Sequence, residues 1–427
     1  MRRAENPFLL ASILTLVIAA LPAHAAEPAG MSELAVGQAG YSGYLKSYAV
    51  GIVPKQVEGA PAGSESDPGL QSLNAIRVNG FWRPAEPLKV EAGYEVQPVW
   101  QNEAAARLGS AAGALGSSLP LVRGARYRVI DLDTEITDSD AARTYRLYQN
   151  LDRFAAYWNM DQADITIGRQ AIAFGSARAI QTTDVLLPYS FQQLSVEYRI
   201  GVDAIRAQIP VSRMGELDLG VVVGEGVRTD ESAAYGRIRA TVAETDLIGM
   251  AMVFSGAKML GGGIQRGIWQ LGYFLDFAQV WADQDERYFR LSQGLDYSFE
   301  SGLMLFAEYH YNGAGTDEPA DYLARLDRFA YGKGGVFLLG RHYFIPGAAY
   351  PITPLVSGRL QAMFNLQDSS TFISGGLEYG LTENIYLDLG FFGTVGRGPR
   401  QAGDEVLLSS EFGSYPSQIY GAARWYF

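Results

Sequence analysis

Residues 383–396 read Glu-Asn-Ile-Tyr-Leu-Asp-Leu-Gly-Phe-Phe-Gly-Thr-Val-Gly, and their side chains sort by parity. Ile385, Leu387, Leu389 and Phe391 fall on one side, Tyr386, Asp388, Gly390 and Phe392 on the other. Side chains alternate faces along an extended chain, so this segment is a strand with one apolar and one mixed face. The pattern recurs. Leu217, Leu219, Val221 and Val223 oppose Asp218, Gly220 and Gly224, while Gly236, Ile238, Ala240 and Val242 oppose Tyr235, Arg237, Arg239 and Thr241. Phe289, Leu291, Leu295 and Tyr297 oppose Arg290, Ser292, Gly294, Asp296 and Ser298, and Leu303, Leu305, Ala307 and Tyr309 oppose Glu308 and His310. No helix of useful length is expected after Ala25. The chain also lacks the run of about 18 apolar residues that a spanning helix needs, which excludes a helical membrane protein.

Alternation alone fits a soluble sandwich as well as a membrane barrel. The N-terminus separates them. Arg2 and Arg3, an apolar run from Phe8 to Leu21 broken by Pro22, and Ala23-His24-Ala25 together read as a cleavable export signal over residues 1–25. No Cys follows the cleavage site, as a lipid anchor would require. Loss of Arg2, Arg3 and Glu5 leaves the exported chain one charge more acidic than the full chain's −12, which disfavours nucleic acid as a partner. The absence of cysteine excludes a disulfide scaffold, a thiolate metal site, an iron–sulfur cluster and covalently attached haem. Trp82, Trp100, Trp158, Trp269, Trp281 and Trp425 all lie near expected strand ends, where the aromatic girdles of a membrane barrel sit. The fold class read from these features is all-β, a transmembrane antiparallel up-and-down barrel.

The chain ends Ser417-Gln-Ile-Tyr-Gly-Ala-Ala-Arg-Trp-Tyr-Phe427, with Ile419, Gly421, Ala423, Trp425 and Phe427 on one face. This resembles the closing strand of Gram-negative outer-membrane barrels, and the resemblance implies that Trp425 and Phe427 serve as the signal read by the barrel-assembly machinery. Localisation in the outer membrane follows. Both ends in the periplasm demand an even strand number, short turns inside and long loops outside. Short turns are expected near 381–384, 300–302, 265–268, 244–246, 212–216, 160–163 and 83–87. Longer connections are expected at 397–416, 312–332, 225–233, 175–197 and 54–69. Residues 127–135 break this alternation if they cross, so 100–143 is assigned to an extracellular or inward-folded segment. The result is about 18 strands, within a range of 16–20. The domain reading is a signal peptide at 1–25, a periplasmic lead-in at 26–40 and a barrel at 41–427.

Residues 146–224 carry a further likeness. Leu151-Asp-Arg153, Asp164-Ile-Thr-Ile-Gly-Arg-Gln-Ala-Ile-Ala-Phe-Gly175, Thr183-Asp184, Pro188 and Gly201-Val-Asp-Ala204 resemble a segment of porin-like and alginate-export-like barrels. In those a Gly-Arg-Gln strand precedes a Gly-containing loop and an Asp-bearing strand. The resemblance covers under a fifth of the chain and implies a large pore-type barrel. The strongly basic conduit of the sugar exporters has no clear counterpart here.

The in-facing charges form two equal sets. Arg77, Lys89, Arg206, Arg237, Arg239, Arg290, Arg359 and Arg424 are the basic pore-lining candidates. Glu91, Glu95, Asp218, Asp276, Asp296, Glu308, Glu378 and Asp388 are the acidic ones. They read either as a filter for charged solutes or as a ladder that keeps a wide lumen wet and rigid. Asp218 is expected to pair across strands with Arg237 and Arg239. Arg169 and Gln170 read as anchors that pin the following loop to the wall, or as a forked contact for a solute carboxylate. Loop 175–197, with Thr182, Thr183, Asp184 and Tyr189, is the foremost candidate to fold into the pore, and segment 100–124 is the second.

No catalytic residues, metal ligands or cofactor are expected. The mature chain holds only His310 and His342, on different strands, without Gly-x-Ser-x-Gly, zinc spacing or a phosphate-binding loop. The leading expectation is a passive channel for small hydrophilic solutes or ions. A conduit, for polysaccharide or around a secretion or electron-transfer partner such as a multihaem cytochrome, and an occluded structural barrel stay open. Association with a second copy is also open.

Overall fold

A computed structural model of the chain describes residues 34–59, 67–111, 127–130, 144–188, 194, 197–283, 285–403 and 405–427. Eighteen antiparallel strands form one closed sheet. The first half of the ring runs β1 (Ala39–Val53), β2 (Gly69–Ala85), β3 (Leu88–Gln101), β4 (Tyr145–Asn159), β5 (Asp164–Gln170), β6 (Val202–Ser212), β7 (Gly215–Val222), β8 (Ala233–Val242) and β9 (Thr245–Phe254). A nine-residue helix, α1 (Glu103–Ala111), lies between β3 and β4. The second half runs β10 (Ala257–Ile268), β11 (Leu271–Ala282), β12 (Tyr288–Ser298), β13 (Met304–Asn312), β14 (His342–Thr353), β15 (Val356–Asn365), β16 (Thr371–Gly380) and β17 (Ile385–Val395). Single-turn helices α2 (Tyr322–Arg325) and α3 (Phe329–Gly332) follow β13, and a small hairpin of β18 (Arg400–Ala402) and β19 (Glu405–Leu407) follows β17. The last strand, β20 (Ser417–Tyr426), pairs on one side with β17 and on the other with β1, from Tyr44↔Tyr426 to Val53↔Ser417.

The closing register places Leu45, Ser47, Ala49 and Gly51 opposite Trp425, Ala423, Gly421 and Ile419 on the outer face. Exposed outward residues such as Ile238, Leu260, Leu389 and Ile419 form the apolar band that a lipid-facing wall requires. All six tryptophans lie at the rims. Trp82, Trp158, Trp269 and Trp425 lie at the end that holds both described chain ends, and Trp100 and Trp281 at the loop end.

Several local features differ from the sequence reading. The β10–β11 turn is Trp269-Gln270 rather than 265–268, because Trp269 takes the positive φ of 56° and lets β10 continue through Ile268. Tight reversals at Ser255-Gly256 and Pro354-Leu355 were also not expected; each is only two residues long, although Ser-Gly and Pro are turn-forming residues. Ser255 and Gly256 both take positive φ, so the loop-end connection there is a two-residue hairpin turn. Helix α1 was not expected. Its start is capped by Asn102 Oδ1, which accepts the Ala105 N–H at 2.9 Å, and Ala105 packs against Gly69. Residues 127–130 are not a strand. The export signal, Tyr189 and most of 112–143 lie outside the described residues, as does the lead-in before Leu34.

The lumen is filled at the loop end and open at the other. Along β8, Ala233 and Tyr235 are buried, Arg237 is half-buried and Arg239 is exposed. The upper half holds two apolar clusters. In one, Ile172, Phe174, Val185 and Leu186 pack on Val202, Tyr235, Met252, Met259 and Val280. In the other, Leu194, Leu338, Phe412 and Tyr415 pack on Tyr48, Leu73, Val99, Tyr343, Phe372 and Tyr420.

Buried Glu411 locks the upper loops together. Its carboxylate accepts bonds from Leu339 N–H at 2.9 Å, Asn365 Nδ2 at 2.8 Å and the Tyr343 hydroxyl at 2.5 Å, while its own N–H donates to Asp368. Burial without a cationic partner pushes the Glu411 carboxyl up to about 7. A group that binds its proton more readily when folded adds stability as pH falls from about 7 toward the ordinary carboxylate range, and loses that contribution as pH rises. Protection factors of the Leu339 and Gly340 amides are therefore expected to be higher at acidic than at alkaline pH, and Glu411→Gln is expected to flatten that dependence. For the wall, Leu389→Arg on the outward face of β17 is expected to cost about 2–4 kcal/mol in unfolding from lipid, the range for a basic residue near the bilayer midplane.

Candidate functional site

In the connection from β5 to β6, the described residues 171–188, 194 and 197–201 turn into the barrel and are bonded to two opposite walls. Its first half is fixed to β10–β13. Gln265 Nε2 donates to the Ser176 carbonyl at 3.0 Å, and Ser176 Oγ donates to the Leu275 carbonyl at 3.1 Å. Glu308, in the middle of β13, accepts three successive backbone N–H groups, from Arg178 at 3.0 Å, Ala179 at 2.8 Å and Ile180 at 2.9 Å. Asp276 on β11 accepts the Thr182 N–H at 2.6 Å and its hydroxyl at 2.8 Å. Arg290 Nη1 donates to the Thr182 carbonyl at 3.3 Å, and Arg178 pairs with Asp296 at 2.8 Å.

The loop then returns across the ring. Asp184 pairs with Arg199, which also donates to Gln181 Oε1 at 3.0 Å, so the two halves of the loop are tied together. Glu197 meets Lys46 of β1 at 2.6 Å and the Tyr426 hydroxyl of β20 at 2.7 Å, and it contacts Arg424. At the exit, the Gly201 N–H donates to Asp152 Oδ1 at 2.7 Å. In a ring of eighteen, β1 stands half a turn from β10. The described parts of the loop are therefore fixed to walls half a turn apart.

The acidic wall residues do this work through backbone capture. Glu308 and Asp276 are buried and face N–H groups that have left a strand ladder and would otherwise be unpaired. A hydrogen bond to a charged group contributes about 1.5–3 kcal/mol, and stranding a buried donor costs about 1–3 kcal/mol. Three donors converging on one carboxylate make Glu308 the strongest single attachment of the loop. Ser292 and His310 lie beneath it. Ser292 Oγ donates to the Ile180 carbonyl at 2.6 Å and contacts His310 Nδ1 at 2.8 Å. Both residues are sealed from solvent, and the serine hydroxyl is engaged by the loop.

The remaining pore-lining candidates sit at inward register positions. Arg206 and Arg237 both bind Asp218, at 2.8 Å and 3.0 Å, whereas Arg239 is displaced one step and meets Asp246 at 3.6 Å. Arg77 binds Asp152 at 2.6 Å and approaches Glu95 at 3.9 Å. Glu91 accepts the Tyr157 hydroxyl at 2.8 Å, and Lys89 stands opposite that tyrosine in the register. Arg424 binds Asp388 at 2.7 Å and also Glu378. Arg359 alone of the arginines on this wall makes no ion pair among the described residues. It shares only the Tyr420 hydroxyl, at 3.4 Å.

Arg169 lies elsewhere. It is paired in register with outward-facing Phe154, and it binds Asp203 at 2.8 Å and the carbonyls of Leu151 and Ile130. It thus holds segment 127–130 and the strand ends, not a group in the lumen. Gln170 Nε2 donates to the backbone carbonyls of Thr166 and Ala204. Lys46 completes the constriction and was not among the sequence candidates, although it alternates with inward Tyr44 and Tyr48. Arg178 and Glu197 lie on the loop, where parity gives no signal.

Beside the crossing loop a cavity of about 480 Å³ remains against β13–β17 and β20. Arg359, Gln361, Ser374, Glu378, Asp388 and Arg424 line it from the wall, and Glu197 lines it from the loop. Leu194, Met304, Phe306 and Phe392 complete its lining, so charged and apolar side chains share its surface.

No family model matches the chain, and no curated protein is similar to it in sequence. The alginate-export-like resemblance of 146–224 therefore gains no support. The fold does have neighbours among solved structures. OccAB1 of Acinetobacter baumannii superposes with a TM-score of 0.55 at 9% identity, covering 94% of this chain and 98% of that one. OccK9 (OpdG) of Pseudomonas aeruginosa gives 0.55 at 9% identity, over 91% and 98%. The outer membrane protein opdK of the same organism gives 0.52 at 8% identity, over 91% and 98%. At these identities the likeness is one of fold.

If Glu308 holds the loop, Glu308→Ala is expected to speed amide exchange at Arg178, Ala179 and Ile180 by about tenfold or more, from the loss of at least one charged hydrogen bond. Exchange at Leu291 and Leu295 on the outward face of β12 is expected to stay unchanged.

Proposed function

We propose that the chain is a Gram-negative outer-membrane channel for the passive passage of small hydrophilic solutes or ions. The observation that carries this is the β5–β6 connection, whose described residues 171–188 and 197–201 are bonded to opposite walls of the lumen beside a cavity lined by both charged and apolar side chains. A wide tube is thereby narrowed to small-molecule scale. The outward apolar band, the rim tryptophans and the fold likeness to the outer membrane protein opdK support the location. The open half of the lumen at the end with the chain termini supports a vestibule facing the periplasm. Residues 1–25 serve as the export signal in this reading.

The backbone of Phe427 pairs with Gly43 at 2.7 Å and 3.0 Å, and Trp425 faces outward. That placement supports a role for both aromatics in presenting the closing strand to the barrel-assembly machinery. A conduit around a cytochrome-like partner needs a clear bore. The bonds of Glu308 and Asp276 on one wall, and of Lys46, Arg424 and Tyr426 on the other, weigh against it.

Arg359 is the unpaired charge at the cavity, so it has the largest effect on ion selectivity. Purified mature protein in a planar bilayer is expected to give stable conductance steps. In a salt gradient, Arg359→Glu is expected to move the reversal potential toward that of the cation without loss of the steps. Absence of steps from a heat-modifiable folded barrel would refute the channel reading.

A further inference from the structure

The outward wall of the barrel carries almost no formal charge. The Arg169–Asp203 pair at the loop end of β5 and β6 is self-compensating. Otherwise, the formally charged residues at outward register positions of the described strands are Lys258 and Arg266, both on β10. Both are exposed, and neither has an ion-pair partner among the described residues. Lys258 is the second residue of β10, at the loop end, between Val253 and Trp281; Arg266 is near the opposite rim, between Thr245 and Tyr273. Eight residues of strand span about 27 Å. With ordinary barrel tilt that is about 20 Å along the membrane normal, so each side chain can extend its charge to a rim.

Next to Lys258 the wall is hollow. Small residues Ala234, Gly236 and Ala251 floor a groove of about 480 Å³, and Leu260 and Trp281 rise along its side. An apolar trough with an ammonium group at its membrane-surface end matches an acyl chain joined to an anionic head. A second copy of this chain fits poorly. A two-fold contact would bring this same face against itself, and the outward wall has no acidic residue except the already paired Asp203 to meet the lysine.

We infer that this groove is a site for a phosphate-bearing lipid of the outer leaflet, with one acyl chain lying over Ala234, Gly236 and Ala251 and a phosphate held by Lys258. The inference rests on the reading of the chain as an outer-membrane barrel with its loops outward. Basic residues near a membrane surface each contribute about 1 kcal/mol toward anionic lipid, equivalent to about fivefold in affinity.

The test is native mass spectrometry of the full mature chain in detergent, titrated with a bis-phosphorylated glucosamine disaccharide lipid and with its dephosphorylated form. One phosphorylated lipid is expected to be retained per barrel. Lys258→Ala is expected to lower its affinity about fivefold and to leave the dephosphorylated lipid unaffected. Ala251→Leu, which fills the trough and keeps the lysine, is expected to weaken both lipids. Equal affinity for the phosphorylated lipid in the wild type and both variants would overturn the assignment. So would a dimer that persists in Lys258→Glu and is abolished by Ala251→Leu. Both variants leave the lumen untouched, so their bilayer conductance is expected to match the wild type. Lipid retention without any conductance would refute the channel reading while the lipid site stands.

Discussion

A sheet placed in hydrocarbon can have no free edge, because water is not there to take up unpaired N–H and C=O groups. The pairing of β20 with β1 meets that constraint. The remaining architecture follows from it. Closure fixes which parity of each strand faces lipid, and the outward row can then hold little but apolar residues. Charge is driven inward, where sixteen sequence-identified positions and Lys46 share one lumen. With so many charges at close quarters, most become each other's partners. Arg206, Asp218 and Arg237 form one such set, and Arg424, Asp388 and Glu378 form another.

The inserted loop solves the converse problem. A segment that leaves the sheet carries N–H groups that must find acceptors in the interior. Glu308 and Asp276 supply them as fixed carboxylates projecting from rigid strands. Their burial is tolerable because several donors converge on each. On the far side, the ion pairs of Glu197 with Lys46 and Arg424 close the span. Attachment to rigid strands on both sides makes the cavity beside Arg359 a feature of fixed shape, which a size filter requires.

Much of this was legible in the sequence. Parity located the inward residues because a strand's period of two is rigid and a one-residue slip would expose every charge to lipid. The same parity would have found Lys46. Tight turns such as Ser255-Gly256 were hidden because two residues suffice to reverse the chain. The partners of Arg178 and Glu197 were not legible, since a loop's path through a lumen is set by tertiary capture rather than by local pattern. Arg169 shows the limit most clearly. Its motif marked it as an anchor, but the side to which it points depends on the register with Phe154 and Asp203. Helix α1 carried a local signal, an Asn102 cap followed by Glu103 and three alanines, but nine residues are too few to stand out from the surrounding alternation.

Residues 171–188 and 197–201 are held on opposite walls of the lumen, and that two-sided attachment is what the account turns on. The chain has no cysteine, so spin labels can be placed at Leu187→Cys in the loop and Gln270→Cys in the β10–β11 turn without background. Pulsed electron–electron resonance on the full barrel in lipid should give one narrow distance distribution, which broadens when Glu308→Ala is added. A broad distribution in the otherwise native barrel, unchanged by Glu308→Ala, would show that the loop is not held across the lumen, contradicting the account.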